Sequence, residues 1–298
     1  SPEAEVSGLA WYGDDLIILP QYPGRFSGED AGYLFSVSKQ DILSFLDGQC
    51  EEPLFPRRIP FWSGDIPRSV EGFQGYEAIA FRGHRAFLTI EAETGEGMVG
   101  YVIAGSMENH MKAFRLDPAS LVEIPVQSPI PNMAYETLVV AGDRVAAIYE
   151  ANGENINPEP VAKIFDLSLK LLPPWPLAAI EYRVTDATGL DESGRFWAIN
   201  YRWPGETELN SLRDPVLETY GQGPTHARTD AVERLVEFQV SDSAVTLVDR
   251  APIQLALRAD GAPRNWEGIV RLEQRGFLLA TDEYPEAILA FVPLPDTE

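Results

Sequence analysis

Three observations predict an all-β fold, a five-bladed β-propeller of four-stranded antiparallel blades, with six blades as the alternative count. One hairpin outline recurs five times along the 298 residues. Its strands lack strict apolar/polar alternation, which signals burial on both faces. Long helical periodicity is absent. Four-stranded repeats of roughly 50–80 residues are the mark of a propeller, whose sheets pack face to face around an axis.

The hairpins are VSGLAWYGDDLIILPQ (6–21), YEAIAFRGHRAFLTIE (76–91), YETLVVAGDRVAAIYE (135–150), ATGLDESGRFWAIN (187–200) and WEGIVRLEQRGFLLATD (266–282). Each reads as strand, tight Gly-containing turn, strand. A third strand with a central aromatic is expected after each, at 32–38, 112–117, 162–168, 234–240 and 287–293. A fourth is expected four times, at 53–61, 120–127, 177–184 and 244–253, where Pro residues suit an outer edge. The blades then run 6–61, 76–127, 135–184, 187–253 and 266–293 within one domain, 1–298. Short helical turns are expected only at 41–46 and 210–214, and the Pro-rich LLPPWP (171–176) as a connection. Residues Ser1 to Glu5 are expected to help close the fifth blade.

Composition narrows the function. Forty-six acidic against 23 basic residues give a net charge of -23, which disfavours nucleic acid and anionic membrane as partners. No apolar run reaches the length of a membrane span. Lone Cys50 excludes an internal disulfide and a Cys-based zinc site. The chain opens at Ser1 without Met, so a trimmed N-terminus and a periplasmic or extracellular location are expected.

Antiparallel pairing puts the start of strand one and the end of strand two on the same face. The start column reads Ser7, Glu77, Glu136, Thr188, Glu267, and the end column Gln21, Glu91, Glu150, Asn200, Asp282. All are polar, at the mouth of the central channel. The long connections 92–111 and 201–231 are expected on this face, and the tight turns on the other. Like charges about 5 Å apart at an effective dielectric near 20 cost roughly 3 kcal/mol per pair. Protonation, pairing with Arg, or a bound cation relieves this. Oxygen donors without Cys favour Ca²⁺, with Mg²⁺ or Mn²⁺ behind it; the other reading makes these Glu caps of strand ends.

Tyr76, Tyr135 and Trp266, which precede three of the Glu, are expected to pack between blades. His84 lies in a tight turn and reads as surface, whereas His110 and His226 lie in the long connections. Arg202 and Trp203 follow Asn200, placed to clamp a ligand or neutralise Glu. No G-x-S-x-G, P-loop or H-E-x-x-H is present.

The cadence SGLAW, YEAIAF, YETLVV, TGLDESG, WEGIV resembles the SdiA-regulated and phytase-like (esterase-like) propeller families. Ala78 and Thr137 depart from the Gly expected after the opening residue. The resemblance implies an extracytoplasmic propeller, a divalent metal in the channel, and ester or phosphoester hydrolysis. The resulting expectation is a metal held by Glu77, Glu136 and Glu267, with Gln21, Asn200, Arg202, Trp203 and Asp282 around the ligand. Glu91, Glu150 or His226 would activate water. The alternative is a non-catalytic propeller that binds a small molecule or a protein.

Overall fold

The computed structural model describes residues 5–26, 32–209, 211, 213–282 and 286–295. The first strand group is β1 (Val6–Tyr12), β2 (Asp15–Pro20), β3 (Gly32–Ser38) and β4 (Arg57–Trp62), with α1 (Lys39–Leu46) between the last two. After α2 (Ile66–Ser69) come β5 (Phe73–Arg82), β6 (Arg85–Thr94), β7 (Gly97–Glu108), β8 (Ala113–Leu116) and β9 (Val122–Pro125). The third group is β10 (Thr137–Ala141), β11 (Arg144–Ile148), β12 (Val161–Asp166) and β13 (Leu171–Pro176). The fourth is β14 (Arg183–Ala187), β15 (Arg195–Arg202), β16 (Val232–Val240), β17 (Val245–Leu247) and β18 (Ile253–Gln254), with α3 (Pro215–Tyr220) before β16. The last is β19 (Trp266–Leu272), β20 (Gly276–Thr281) and β21 (Leu289–Pro293).

Within each group the strands pair antiparallel in chain order, except that β9 returns to β7 and β18 to β16; one parallel contact, β4 with β8, joins the first two groups into a nine-stranded sheet. The first strands touch in the order β1, β5, β10, β14, β19, and β19 returns to β1. The arrangement is therefore nearly closed and barrel-like at its centre. Apolar cores fill the wedges between neighbouring groups: Leu34 and Phe61 against Tyr76, Ala78 and Phe87 against Tyr135, Ile148 against Phe196, Ile199 against Trp266 and Phe277, Leu9 against Leu278. Along β11, Val145 and Ala147 enter one wedge while Ala146 and Ile148 enter the next. Both faces are buried, so the sequence has no reason to alternate.

Several sequence expectations need correction. Segment 92–111 is no loop: β6 continues to Thr94, and β7 is the long third strand of its group. β7 ends at the tight-turn face, where Met107 N–H donates to the His84 carbonyl at 2.8 Å. His110 therefore sits on that opposite face, as does His84, which bonds the Tyr12 hydroxyl. The third group's outer strand is LLPPWP (171–176), not 177–184; its prolines are tolerated because β13 is an exposed edge. The fourth hairpin opens at Arg183 instead of 187. Of the predicted helical turn 210–214, positions 210 and 212 lie outside the described residues, and α3 begins just after it, capped by Asp214. Ser1–Ala4, expected to help close the ring, lie outside the described residues. Among the described residues no helix is long and apolar enough to cross a membrane.

Candidate functional site

A register slip builds the site. In β1, β5, β14 and β19 the pairing with the second strand shifts by one residue, at Ser7, at Glu77–Ala78, at Thr185–Asp186 and at Glu267. In the third hairpin Thr137 pairs Ile148, yet Glu150 N–H reaches the Ala134 carbonyl at 2.9 Å, so the slip falls at Glu136. A bulge bends the strand and re-aims the side chain at that point. Ser7, Glu77, Glu136 and Glu267 thus occupy equivalent places around the ring. In the fourth hairpin that place is Thr185, three residues before the expected Thr188. Thr188 instead sits at the far end of β14, its N–H on the Trp197 carbonyl at 2.8 Å. The end column moves with it: Tyr201, not Asn200, matches Gln21, Glu91, Glu150 and Asp282.

These residues enclose a cavity of about 410 Å³ whose wall includes Glu77, Glu91, Glu136, Glu206, Glu267 and Asp282. Ser7, Gln21, Arg183, Tyr201 and Trp203 complete its contacts with the strands and the following loop. Glu150 is fully buried and stands behind the wall, ion-paired to Arg183 Nη1. Arg183 Nη2 holds Glu206 at 2.6 Å, and Glu206 Oε2 accepts from Trp203 N–H at 2.8 Å. Gln21 Nε2 donates to Glu77 at 3.2 Å, and Asn265 to Asp282 at 3.4 Å. Among the described residues Arg183 is the one guanidinium lining the cavity.

That single cation cannot offset the carboxylates. Burial, then Glu91, drives the Glu77 pKa well above the carboxylate range. Burial, then Glu150, does the same to Glu136, and burial with Glu150 and Asp282 to Glu267, which is partly open to the cavity. Glu91 is pushed up to about 8 by burial and Glu150, against the pull of Arg183. Burial raises Glu150 too, although Arg183 opposes it. Among the described residues no N–H reaches the buried Glu91 Oε1, Glu136 Oε2 or Glu150 Oε2, and those of Glu136 and Glu150 have only each other.

Four expected site residues lie elsewhere or in other roles. Asn200 is buried outside the cavity, donating to the Glu181 and Arg183 carbonyls at 2.8 and 3.0 Å. Arg202 and His226 line a separate cavity. Arg202 takes the opposite side of β15 from Tyr201, as strand alternation requires. Thr188 is accounted for above. The sequence reading missed Arg183, Tyr201 and Glu206; the pattern R-V-T-D-A (183–187), with an apolar residue before the bulge as in the other hairpins, was the available signal.

Below the cavity Asp186 closes the centre. Where other hairpins carry Gly8, Ala78, Thr137 or Gly268, it extends a carboxyl group, its pKa driven well above the usual range by burial, to the N–H of Ile269 at 2.8 Å and of Leu9 at 3.5 Å. It also accepts from Ala187 N–H at 2.8 Å. The neighbouring strands are tightly packed at Gly268, where a Cβ would lie 2.7 Å from Leu9 Cγ.

No family model matches the chain, and no curated protein sequence matches it. Solved structures do resemble it. The chain superimposes on the GH43_1 enzyme of Xanthomonas citri with a TM-score of 0.51 and 10% identity, covering 99% of this chain and 88% of that one. It is also similar to the GH32 β-fructofuranosidase of Bombyx mori (TM-score 0.48, 9% identity, covering 93% of this chain and 54% of that one). For the hydrazine synthase of Kuenenia stuttgartiensis the TM-score is 0.45 at 9% identity, covering 93% of this chain, which spans 61% of that one. The likeness to the Xanthomonas citri protein, a propeller enzyme, is one of fold alone.

Proposed function

We propose that the protein is a five-bladed β-propeller hydrolase whose carboxylate cavity holds a divalent cation, Ca²⁺ ahead of Mg²⁺ or Mn²⁺. One observation carries this reading: among the described residues, buried carboxyl oxygens on Glu91, Glu136 and Glu150 receive no N–H donor, those of Glu136 and Glu150 having only each other, at a site lined by one guanidinium. Hard oxygen donors and excess negative charge fit a hard cation. Glu77, Glu136 and Glu267, at equivalent bulges, would hold it. Among the described residues no three such side chains already stand at metal-binding spacing, so the carboxylates would close on the ion as it enters.

When bound, the cation supplies Lewis acidity toward the carbonyl or phosphoryl oxygen of an ester, lactone or phosphoester. Of the three residues expected to activate water, Glu91 alone lines the cavity, where it would serve as the general base. Trp203 and Tyr201 give the substrate an apolar wall. Arg183 holds Glu206, which in turn fixes the Trp203 backbone.

Melting curves with EDTA and with each cation restored, beside elemental analysis, test the site. A bound metal and a melting point restored by Ca²⁺ support it; Glu136→Gln should then abolish both Ca²⁺ rescue and turnover on an ester and phosphoester panel while the protein stays folded. No metal and no shift would leave the carboxylates as protonated structural groups. A binding propeller without catalysis would then stand in its place.

A further inference from the structure

A second cavity, of about 200 Å³, opens behind the segment that carries Tyr201 and Trp203. Tyr182, Arg202, Asp214, His226, Arg234 and Gln254 form its polar wall. His226 is only 6% exposed, and among the described residues the Gly223 backbone is the one group that approaches its ring nitrogens, without forming a well-aligned hydrogen bond. The chain makes room for this ring at Gly223, where a Cβ would fall 2.6 Å from His226 Nδ1. A buried imidazole so poorly met is costly.

The charges facing the ring are already matched. Arg234 grips Asp214 through Nη1 and Nη2 at 2.9 and 3.1 Å, and its Nε donates to Asn200 Oδ1 at 2.7 Å. Asp214 Oδ1 also accepts from Val216 and Leu217 N–H at 3.1 and 3.2 Å, so its oxygens have no call on His226. Arg202 reaches the Asp230 carbonyl at 3.2 Å and the Asp230 carboxylate at 3.7 Å. Both guanidiniums lie over the Tyr182 ring, at 5.5 and 5.8 Å from its centroid. The wall thus sets Arg202 and Arg234 against Asp214 and Asp230, so these fixed charges balance. His226 is the group whose charge can still change, and Thr229 adds a hydroxyl to the wall.

We propose that this cavity binds a small oxyanion, a carboxylate or phosphate group, held by His226 between Arg202 and Arg234. The anion accepts a hydrogen bond from the imidazole and draws a proton onto it. In the free protein, burial and Arg234 hold the imidazole pKa below its usual value. Binding therefore takes up a proton, and affinity rises as pH falls. This site is independent of the carboxylate cavity and of whether that cavity holds a cation.

The test is imidazole ¹⁵N NMR on the full chain, which has three His, with His226→Gln assigning the signal. Inorganic phosphate and acetate are added separately at constant ionic strength. Saturable movement of the His226 signals toward imidazolium with either anion supports the site; which anion acts tells phosphate from carboxylate. Calorimetry should show proton uptake, several-fold tighter binding at pH 6 than at pH 8, and about tenfold or greater loss in His226→Gln. Signals that neither anion moves, or that sodium chloride moves equally, overturn the proposal. So does undiminished binding by a folded His226→Gln. Should that variant not fold, the wild-type titration decides.

Discussion

The carboxylate cavity makes the stability of the metal-free protein depend on pH with a definite sign. Glu91 moves from a usual value of 4.5 to about 8 on folding. The folded state then holds a proton that the unfolded chain has released, so this contribution is full below 4.5 and is lost as pH rises through about 8. At about 1.4 kcal/mol per pH unit, that one group removes roughly 5 kcal/mol across the window. Glu77, Glu136, Glu150 and Glu267 act in the same direction. The lowered carboxyls of Asp166 and Asp191 oppose it only in acid, below the window. Typical domains have about 5–15 kcal/mol of stability in all. Urea unfolding in EDTA from pH 5 to pH 9 should therefore show a loss of several kcal/mol. Glu91→Gln should flatten part of the slope, and saturating Ca²⁺ should flatten most of it. Stability that stays level or rises between pH 5 and pH 8 in EDTA would mean that these carboxyls are hydrated and ionised. The argument for a cation would then fail at its first step.

Two further substitutions separate the functions of the centre. Arg183→Gln removes the guanidinium that faces Glu150 and Glu206, and should cost the metal-free protein about 3–5 kcal/mol by urea unfolding. The same change should tighten Ca²⁺ binding roughly tenfold by calorimetry, because one like charge leaves the cavity. Asp186→Asn weakens the acceptor for Ile269 and Leu9 N–H, and should lower stability by about 1–3 kcal/mol with Ca²⁺ affinity unchanged.

The sequence made the hairpins legible because their strands lack alternation for a physical reason: residues such as Ala146 and Ala147 face different wedges, both dry. The polar columns were legible because a bulge at one fixed place turns Glu77, Glu136 and Glu267 toward one cavity. Apolar strings misled where context decides. Segment 92–111 reads as a long connection, yet its apolar stretch MVGYVIAG (98–105) pairs with both β6 and β9. LLPPWP reads as a connection, yet an outer strand loses few ladder bonds to its prolines.

The fourth hairpin failed for a more instructive reason. Thr188-Gly189-Leu190 imitates the opening motif, while the true bulge at Thr185 carries Asp186 in the column that the other hairpins fill with Gly, Ala or Thr. A carboxyl group at the centre breaks the pattern because it does something the small residues cannot. It links β14 to the N–H groups of β1 and β19, strands from three different groups. The slip also explains why Arg183 went unseen. Once the register starts at Thr185, Arg183 falls two positions earlier, level with Gly75 and Asn265, beside the carboxylates it must partner. The acidic ring and its lone arginine are thus products of one register, and an argument that places either must place both.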